Sequence, residues 1–114
     1  DKGNACFHSK DFSCAAKEFR VSADQGHDES QFLLGVLYAA GKGVKRDYTE
    51  AVKLLHLAAD QGHKQASYGL GKAYENGNGV LQNKKTAKEW YGKACDNGDQ
   101  SGCKIYQKLN KAGY

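Results

Sequence analysis

Shifted by 36 positions, the middle of this chain falls on itself. Leu34 lands on Leu70, Gly35 on Gly71, Tyr38 on Tyr74, Gly41 on Gly77, Gly43 on Gly79 and Val44 on Val80. The register continues through Ala51 on Ala87, Ala58 on Ala94 and Gly62 on Gly98. A fixed period in this range marks a stacked array, whose units bury their apolar faces on one another. Within a copy, Ala51, Leu54, Leu55 and Ala58 recur at helical spacing, and a Gly-x-Gly-Val loop separates this stretch from the one before it. The expected fold class is all-α: an α/α superhelix, or solenoid, of helical hairpins with about seven helices.

The rest of the chain continues the pattern in abbreviated form. Ala15 aligns under Ala51, Ala23 under Ala59 and Gly26 under Gly62, while Ser9-Lys10-Asp11 replaces the glycine loop as a tight turn. One domain is expected: residues 1–28 as an N-terminal capping hairpin, 29–63 and 64–99 as full repeats, and 100–114 as a C-terminal capping helix. Helices are expected near 2–9, 11–25, 29–40, 47–61, 64–76, 83–97 and 100–112. Asp11 and Asp47 are the expected N-caps, and Gly62 the stop after a second helix. Gly35 and Gly71 fall mid-helix, where glycine costs about 1 kcal/mol against alanine. Two such placements in one register predict close backbone approach, with Tyr38 and Tyr74 filling the adjacent gaps.

Composition narrows the setting. The 114 residues contain no proline, and no apolar run approaches the ~18 residues that would cross a membrane. The chain begins at Asp1 rather than methionine, which suggests a processed or trimmed N-terminus and is compatible with earlier removal of a signal peptide. Residues 1–57 hold eight basic and eight acidic side chains, and residues 58–114 hold nine and five. That mild basic excess points weakly to an acidic partner. It makes no case for nucleic acid, because acids and glycines interrupt the basic residues.

The pattern Ala66-x3-Leu70-Gly71-x2-Tyr74-x2-Gly77-x-Gly79-Val80, followed by Ala87, Trp90 or Tyr91, and Lys93-Ala94, resembles the Sel-1-like repeat, a relative of the tetratricopeptide repeat. The resemblance covers nearly the whole chain. The first copy departs from it with Ser30 for the usual alanine and His56 for the usual aromatic. Cys95 and Cys103, with seven residues between them, are similar to the bacterial cysteine-rich secreted branch, where that spacing implies a disulfide across the inter-repeat turn. The likeness to that branch is partial, since Ala59 and Ser67 occupy the equivalent sites of the preceding junction.

Cys6 and Cys14 show the same separation. Each pair would join two helices just across their turn, within the span of a disulfide, and closing so short a loop contributes about 2–3 kcal/mol in the chain-entropy model. Such bonds imply an oxidising compartment, hence a periplasmic or secreted protein. Two other readings stand beside this one: four reduced buried thiols, or a metal site from Cys6, His8 and Cys14 that lacks a fourth ligand at ordinary spacing.

No constellation supports catalysis, and no catalytic residue, metal ligand or cofactor is assigned. Ser101-Gly-Cys-Lys104 matches the Ser-x-x-Lys of penicillin-recognising enzymes, and cysteine-rich relatives have been linked to penicillin binding. The Ser-Asp-Asn and Lys-Thr-Gly companions are missing, however, and Lys85-Thr86-Ala87 lies in a helix. His27 and His63 are repeat-equivalent, with Asp99 in the third place, which favours a helix-capping role. His56 reads as packed or half-exposed rather than as a base.

The first helix of each hairpin should line the concave wall of such an array. Subtracting the core positions leaves a stripe through Asn4, Phe7 and His8, then Phe32, Leu33 and Val36. It runs on through Gln65, Tyr68, Lys72 and Glu75 to Lys104, Ile105 and Lys108. Phe7, Phe32, Leu33, Val36, Gln65, Tyr68, Lys72, Glu75, Lys104 and Lys108 are the candidate partner-binding residues. The expected function is a non-enzymatic protein–protein interaction module, an adaptor holding a partner protein or peptide of acidic character in its groove. Two alternatives remain: a periplasmic immunity or inhibitor protein that neutralises a toxin, a role some members of the resembled family play, and a penicillin-binding or β-lactamase-like enzyme.

Overall fold

Helix capping and glycine stops divide the chain. The computed structural model describes residues 2–114, and within them runs α1 (Lys2–His8), α2 (Phe12–Asp24), α3 (Asp28–Ala40), α4 (Tyr48–Ala59), α5 (Lys64–Asn76), α6 (Lys84–Asp96) and α7 (Gln100–Lys111). No strand occurs among the described residues. Asp11, Asp47 and Asn83 each accept a hydrogen bond from the backbone N–H three residues on, at 3.1, 3.1 and 3.0 Å. Each bond satisfies a helix N-terminal donor that otherwise has no partner.

Successive helices pack as antiparallel neighbours into an array of 44 × 25 × 23 Å. The hairpin-to-hairpin turns are copies of one another. Gly26, Gly62 and Gly98 donate to the carbonyls of Ala23, Ala59 and Cys95 at 3.0, 2.9 and 2.9 Å. The Gly-x-Gly-Val loops reach backwards: the second glycine of each lies on the first turn of the preceding hairpin's second helix, Gly43 on Phe12–Ser13 and Gly79 on Tyr48–Thr49. Sequence period thus becomes a packing period, since positions 36 apart meet equivalent neighbours.

Three apolar clusters follow one another along the array. The first gathers Ala15, Phe19, Leu34, Leu37 and Leu54, with Phe7 and Leu33 packed on it. The second holds Val52, Leu55, Ala58, Ala66 and Leu70, and the third Ala87, Tyr91 and Leu109. Each large side chain so buried contributes about 1.5–3 kcal/mol.

The mid-helix glycines divide in their reasons. A Cβ at Gly35 would lie 3.3 Å from the Ala51 carbonyl, which is the expected backbone approach of α3 to α4. At Gly71 the neighbour is instead the Tyr91 ring, 2.7 Å from where a Cβ would stand. Tyr91, fully buried, fills the gap assigned on sequence to Tyr74. The two tyrosines of the repeat signature reach the preceding hairpin through their hydroxyls: Arg20 donates to Tyr38 at 3.4 Å, and the Tyr74 hydroxyl lies 3.4 Å from His56 Nε2, while Tyr74 also packs on the third cluster beside Tyr91.

Both cysteine pairs are disulfides. Cys6–Cys14 joins α1 to α2 with Cα atoms 5.7 Å apart, and Cys95–Cys103 joins α6 to α7 with Cα atoms 4.5 Å apart. With all four sulfurs bonded to sulfur, neither the reduced-thiol reading nor the Cys6, His8, Cys14 ligand set stands.

Candidate functional site

One groove opens between the first helices of the two full repeats. Phe32, Gly35, Val36 and Ala39 of α3 form one wall, and Gly69, Lys72, Ala73 and Asn76 of α5 form the other. Tyr48, Ala51, Val52 and Leu55 of α4 make the floor. The space is about 400 Å³, the size of a pocket for one or two large side chains. Its walls are built of small residues: Gly35 and Gly69 stand close against α4, where a Cβ would lie 3.3 Å from the Ala51 carbonyl and from the Leu55 side chain, and Ala39 and Ala73 add only methyl groups to the lining.

The lining is apolar apart from one end and one rim. Asn76 and Asn78 supply amides, and Lys72 is the charged member, its ammonium 5.6 Å from the centre of the Tyr68 ring. At the other end Phe32 stacks on His63 with ring centres 4.7 Å apart. His63 is fixed from both sides: Nδ1 accepts from the Ala66 N–H at 3.1 Å, capping α5, and Nε2 lies 3.3 Å from Glu29. Asp99 caps α7 in the same way, accepting from Ser101 at 3.0 Å. His27 makes no such bond; Asp28 there accepts from the Glu29 N–H at 2.9 Å.

The structure divides the ten candidate residues. Phe32, Val36 and Lys72 line the groove together. Leu33 packs on the first core cluster, as does Phe7, whose ring meets those of Phe12 and Phe19. Tyr68 turns onto Tyr91 with ring centres 5.5 Å apart, and Glu75 accepts from the Tyr91 hydroxyl at 2.8 Å. Burial, then Glu75, pushes the Tyr91 phenol well above its ordinary range. Gln65, Lys104 and Lys108 are exposed and lie outside this groove. Gly69, Ala73 and Tyr48 also line the groove but stand outside the sequence stripe, since a glycine and an alanine carry no gripping side chain to mark them.

Ser101 and Lys104 are both exposed in the first turn of α7, and Cys103 between them is committed to its disulfide. A nucleophilic serine with an activating lysine needs a sheltered pair, which this turn does not provide.

His56 sits half-buried between the rings of Trp90 and Tyr74, with centres 5.3 and 6.3 Å away. Burial lowers its pKa from the ordinary 6.5; Lys93 pushes the same way and Asp60 opposes. A folded value below the unfolded one makes the unfolded chain the better proton binder. This contribution to stability is therefore complete above the unfolded pKa and is lost as pH falls through the folded one. Thermal midpoints should drop between about pH 7 and pH 5 more steeply for the native chain than for His56→Phe. Parallel pH profiles for the two proteins would refute the assignment.

Helical hairpins in a 36-residue register, with apolar faces stacked and a groove between first helices, define an α/α solenoid. The Sel1 repeat family model matches residues 28–63 and 64–99, and the chain belongs to that family. Among solved structures it is similar to a protective antigen of uropathogenic Escherichia coli strains that displays an SLR fold, with 36% identity over 89% of this chain and a TM-score of 0.86. A Sel1 repeat protein from Oxalobacter formigenes matches at 30% identity over 80%, with a TM-score of 0.78. Helicobacter pylori cysteine rich protein B matches at 26% identity over 80%, with a TM-score of 0.76. The chain spans 22% and 26% of the length of the first two and 68% of the third. No curated protein matches it significantly. Sel1 repeat proteins are generally protein-interaction scaffolds, and the fold is typically a non-catalytic module. The two disulfides and the bacterial neighbours are compatible with an extracytoplasmic location.

Proposed function

We propose that this chain is a non-enzymatic interaction module of the bacterial periplasm or of secreted proteins, holding a partner protein through the groove between α3 and α5. The observation that carries this reading is the groove itself: apolar, open on one side, with Lys72 on its rim. Burying apolar partner surface there supplies affinity, and the lysine favours a carboxylate over another cation. The disulfides support an oxidising compartment.

The test is a non-reducing pull-down from envelope extract, read by quantitative mass spectrometry, with the native chain and Phe32→Asp/Lys72→Glu as baits. A partner enriched by the native chain alone is expected, depleted about tenfold or more with the double substitution. Enrichment of a toxic effector enzyme would make the role that of an immunity protein, within the same groove. Identical lists for the two baits would exclude the groove as the binding surface, and nitrocefin turnover lost in Ser101→Ala would overturn the non-enzymatic reading.

A further inference from the structure

The groove is a gap in a series. At each junction between hairpins, two positions one helical turn apart on the first helix face the hairpin before. On α3 they are Leu33 and Leu37, and both pack into the first core cluster, Leu37 at 1% exposure. On α7 they are Ile105 and Leu109, packed into the third cluster, Leu109 at 5% exposure. On α5 the same positions, 36 residues from each neighbour, hold Gly69 and Ala73, and these two line the groove. A pair of branched aliphatic side chains closes the other two junctions from within; here the pair is small, with Ala73 itself buried at 8% exposure in the second core cluster, and the groove opens beside it.

We infer that this opening is a socket for two aliphatic side chains of a partner peptide, or one aromatic, carried next to an acidic residue. The inference rests on the interaction reading above and specifies its ligand. Shape follows from the missing pair: the other junctions show which side chains this packing geometry accepts, and Leu55 of the floor remains in place to meet them. A Cβ at Gly69 would lie 3.3 Å from the Leu55 side chain, so the socket is bounded on its inner side. Charge follows from the rim. Lys72 stands between Gly69 and Ala73 on the turn that faces the groove, and among the described residues no acidic side chain lines the space with it. Phe32 and Tyr48 contribute aromatic rings to the lining, well suited to aliphatic and aromatic anchors.

Restoring the repeat should destroy the site while preserving the fold. Ala73→Leu supplies the residue found at both equivalent positions, and Gly69→Leu supplies the other half of the pair. The experiment selects a phage-displayed library of random dodecapeptides on the native disulfide-bonded chain. The enriched peptides are then measured against Ala73→Leu, Gly69→Leu and Lys72→Glu. The expected peptides carry a pair of leucine or isoleucine residues, or one phenylalanine or tryptophan, beside aspartate or glutamate. Their affinity should fall at least about tenfold on either leucine variant, with the fold of each checked by circular dichroism because an added side chain at Gly69 requires Leu55 to shift. Lys72→Glu should weaken the same peptides by several fold and reverse the preference for acidic neighbours. Peptides that bind Ala73→Leu and Gly69→Leu as well as the native chain would overturn the socket while leaving the interaction reading intact. A library that yields no binder to the native chain would count against both. Should one leucine variant fail to fold, the other decides the outcome.

Discussion

Gly79→Ala is expected to destabilise the protein by about 3 kcal/mol, far beyond the cost of an ordinary glycine replacement. Gly79 holds φ at +78°, a conformation that costs other residues about 1–2 kcal/mol. Steric contact adds the rest. A new Cβ would press on the Tyr48 carbonyl and stand 3.1 Å from the Thr49 nitrogen, both in the first turn of α4. Neither atom belongs to a flexible side chain, so relief requires moving the loop off the helix or the helix off its Asp47 cap. Gly62→Ala is the control: φ is +86° there, but nothing lies within 4 Å of the added carbon. Its cost should stay near ~1 kcal/mol. Urea denaturation of both variants checks the difference, and equal losses would show that the loop does not bear on the preceding helix.

The second large effect is a gain. Ala59→Cys/Ser67→Cys should form a disulfide spontaneously and stabilise the chain by about 2–3 kcal/mol. The three hairpin-to-hairpin turns share their hydrogen bonds, so the positions of Cys95 and Cys103 recur at Ala59 and Ser67 with equivalent spacing. Each junction fills this pair of positions differently. At the first, Gln31 donates to the Ala23 carbonyl at 3.2 Å and accepts from Gln61 at 2.9 Å. At the second, the buried Ser67 hydroxyl has no hydrogen-bond partner among the described residues, a cost of about 1–3 kcal/mol that the substitution also removes. Thermal melts with and without reductant should differ by more in the variant than in the native chain. Failure of the new thiols to pair, read as unreacted thiol in the folded protein, would falsify the equivalence of the turns.

Much of this architecture was legible because the repeat states it twice. Capping by Asp11 and Asp47 and the stop at Gly62 follow from residue chemistry at known offsets, the cysteine spacing favours two disulfides over reduced thiols or a metal site, and helix ends fell within one or two positions. The role of Tyr91 was not legible, because Leu55 and Phe19 stand at its equivalents and nothing local distinguishes a ring that fills the space over Gly71. The groove was half legible. Phe32, Val36 and Lys72 could be read from the stripe, but the stripe also contained Phe7 and Tyr68, which helix rotation turns onto neighbouring rings. The decisive signal, Gly69 and Ala73 opposite Leu33 with Leu37 and Ile105 with Leu109, was present in the alignment at period 36. It acquires meaning only once the direction of that helix face is known.

The placement of the covalent links has a mechanical consequence. Cys6–Cys14 fastens α1 to α2 and Cys95–Cys103 fastens α6 to α7, while the turn between α4 and α5 has no disulfide across it. In a quasi-linear array each unit is held only by its neighbours. Tension applied along the chain would therefore meet covalent stops near both ends and yield among the unlinked helices from α2 to α6, the segment that contains the groove. A partner seated there would act as a clasp between α3 and α5, raising the force needed to part them.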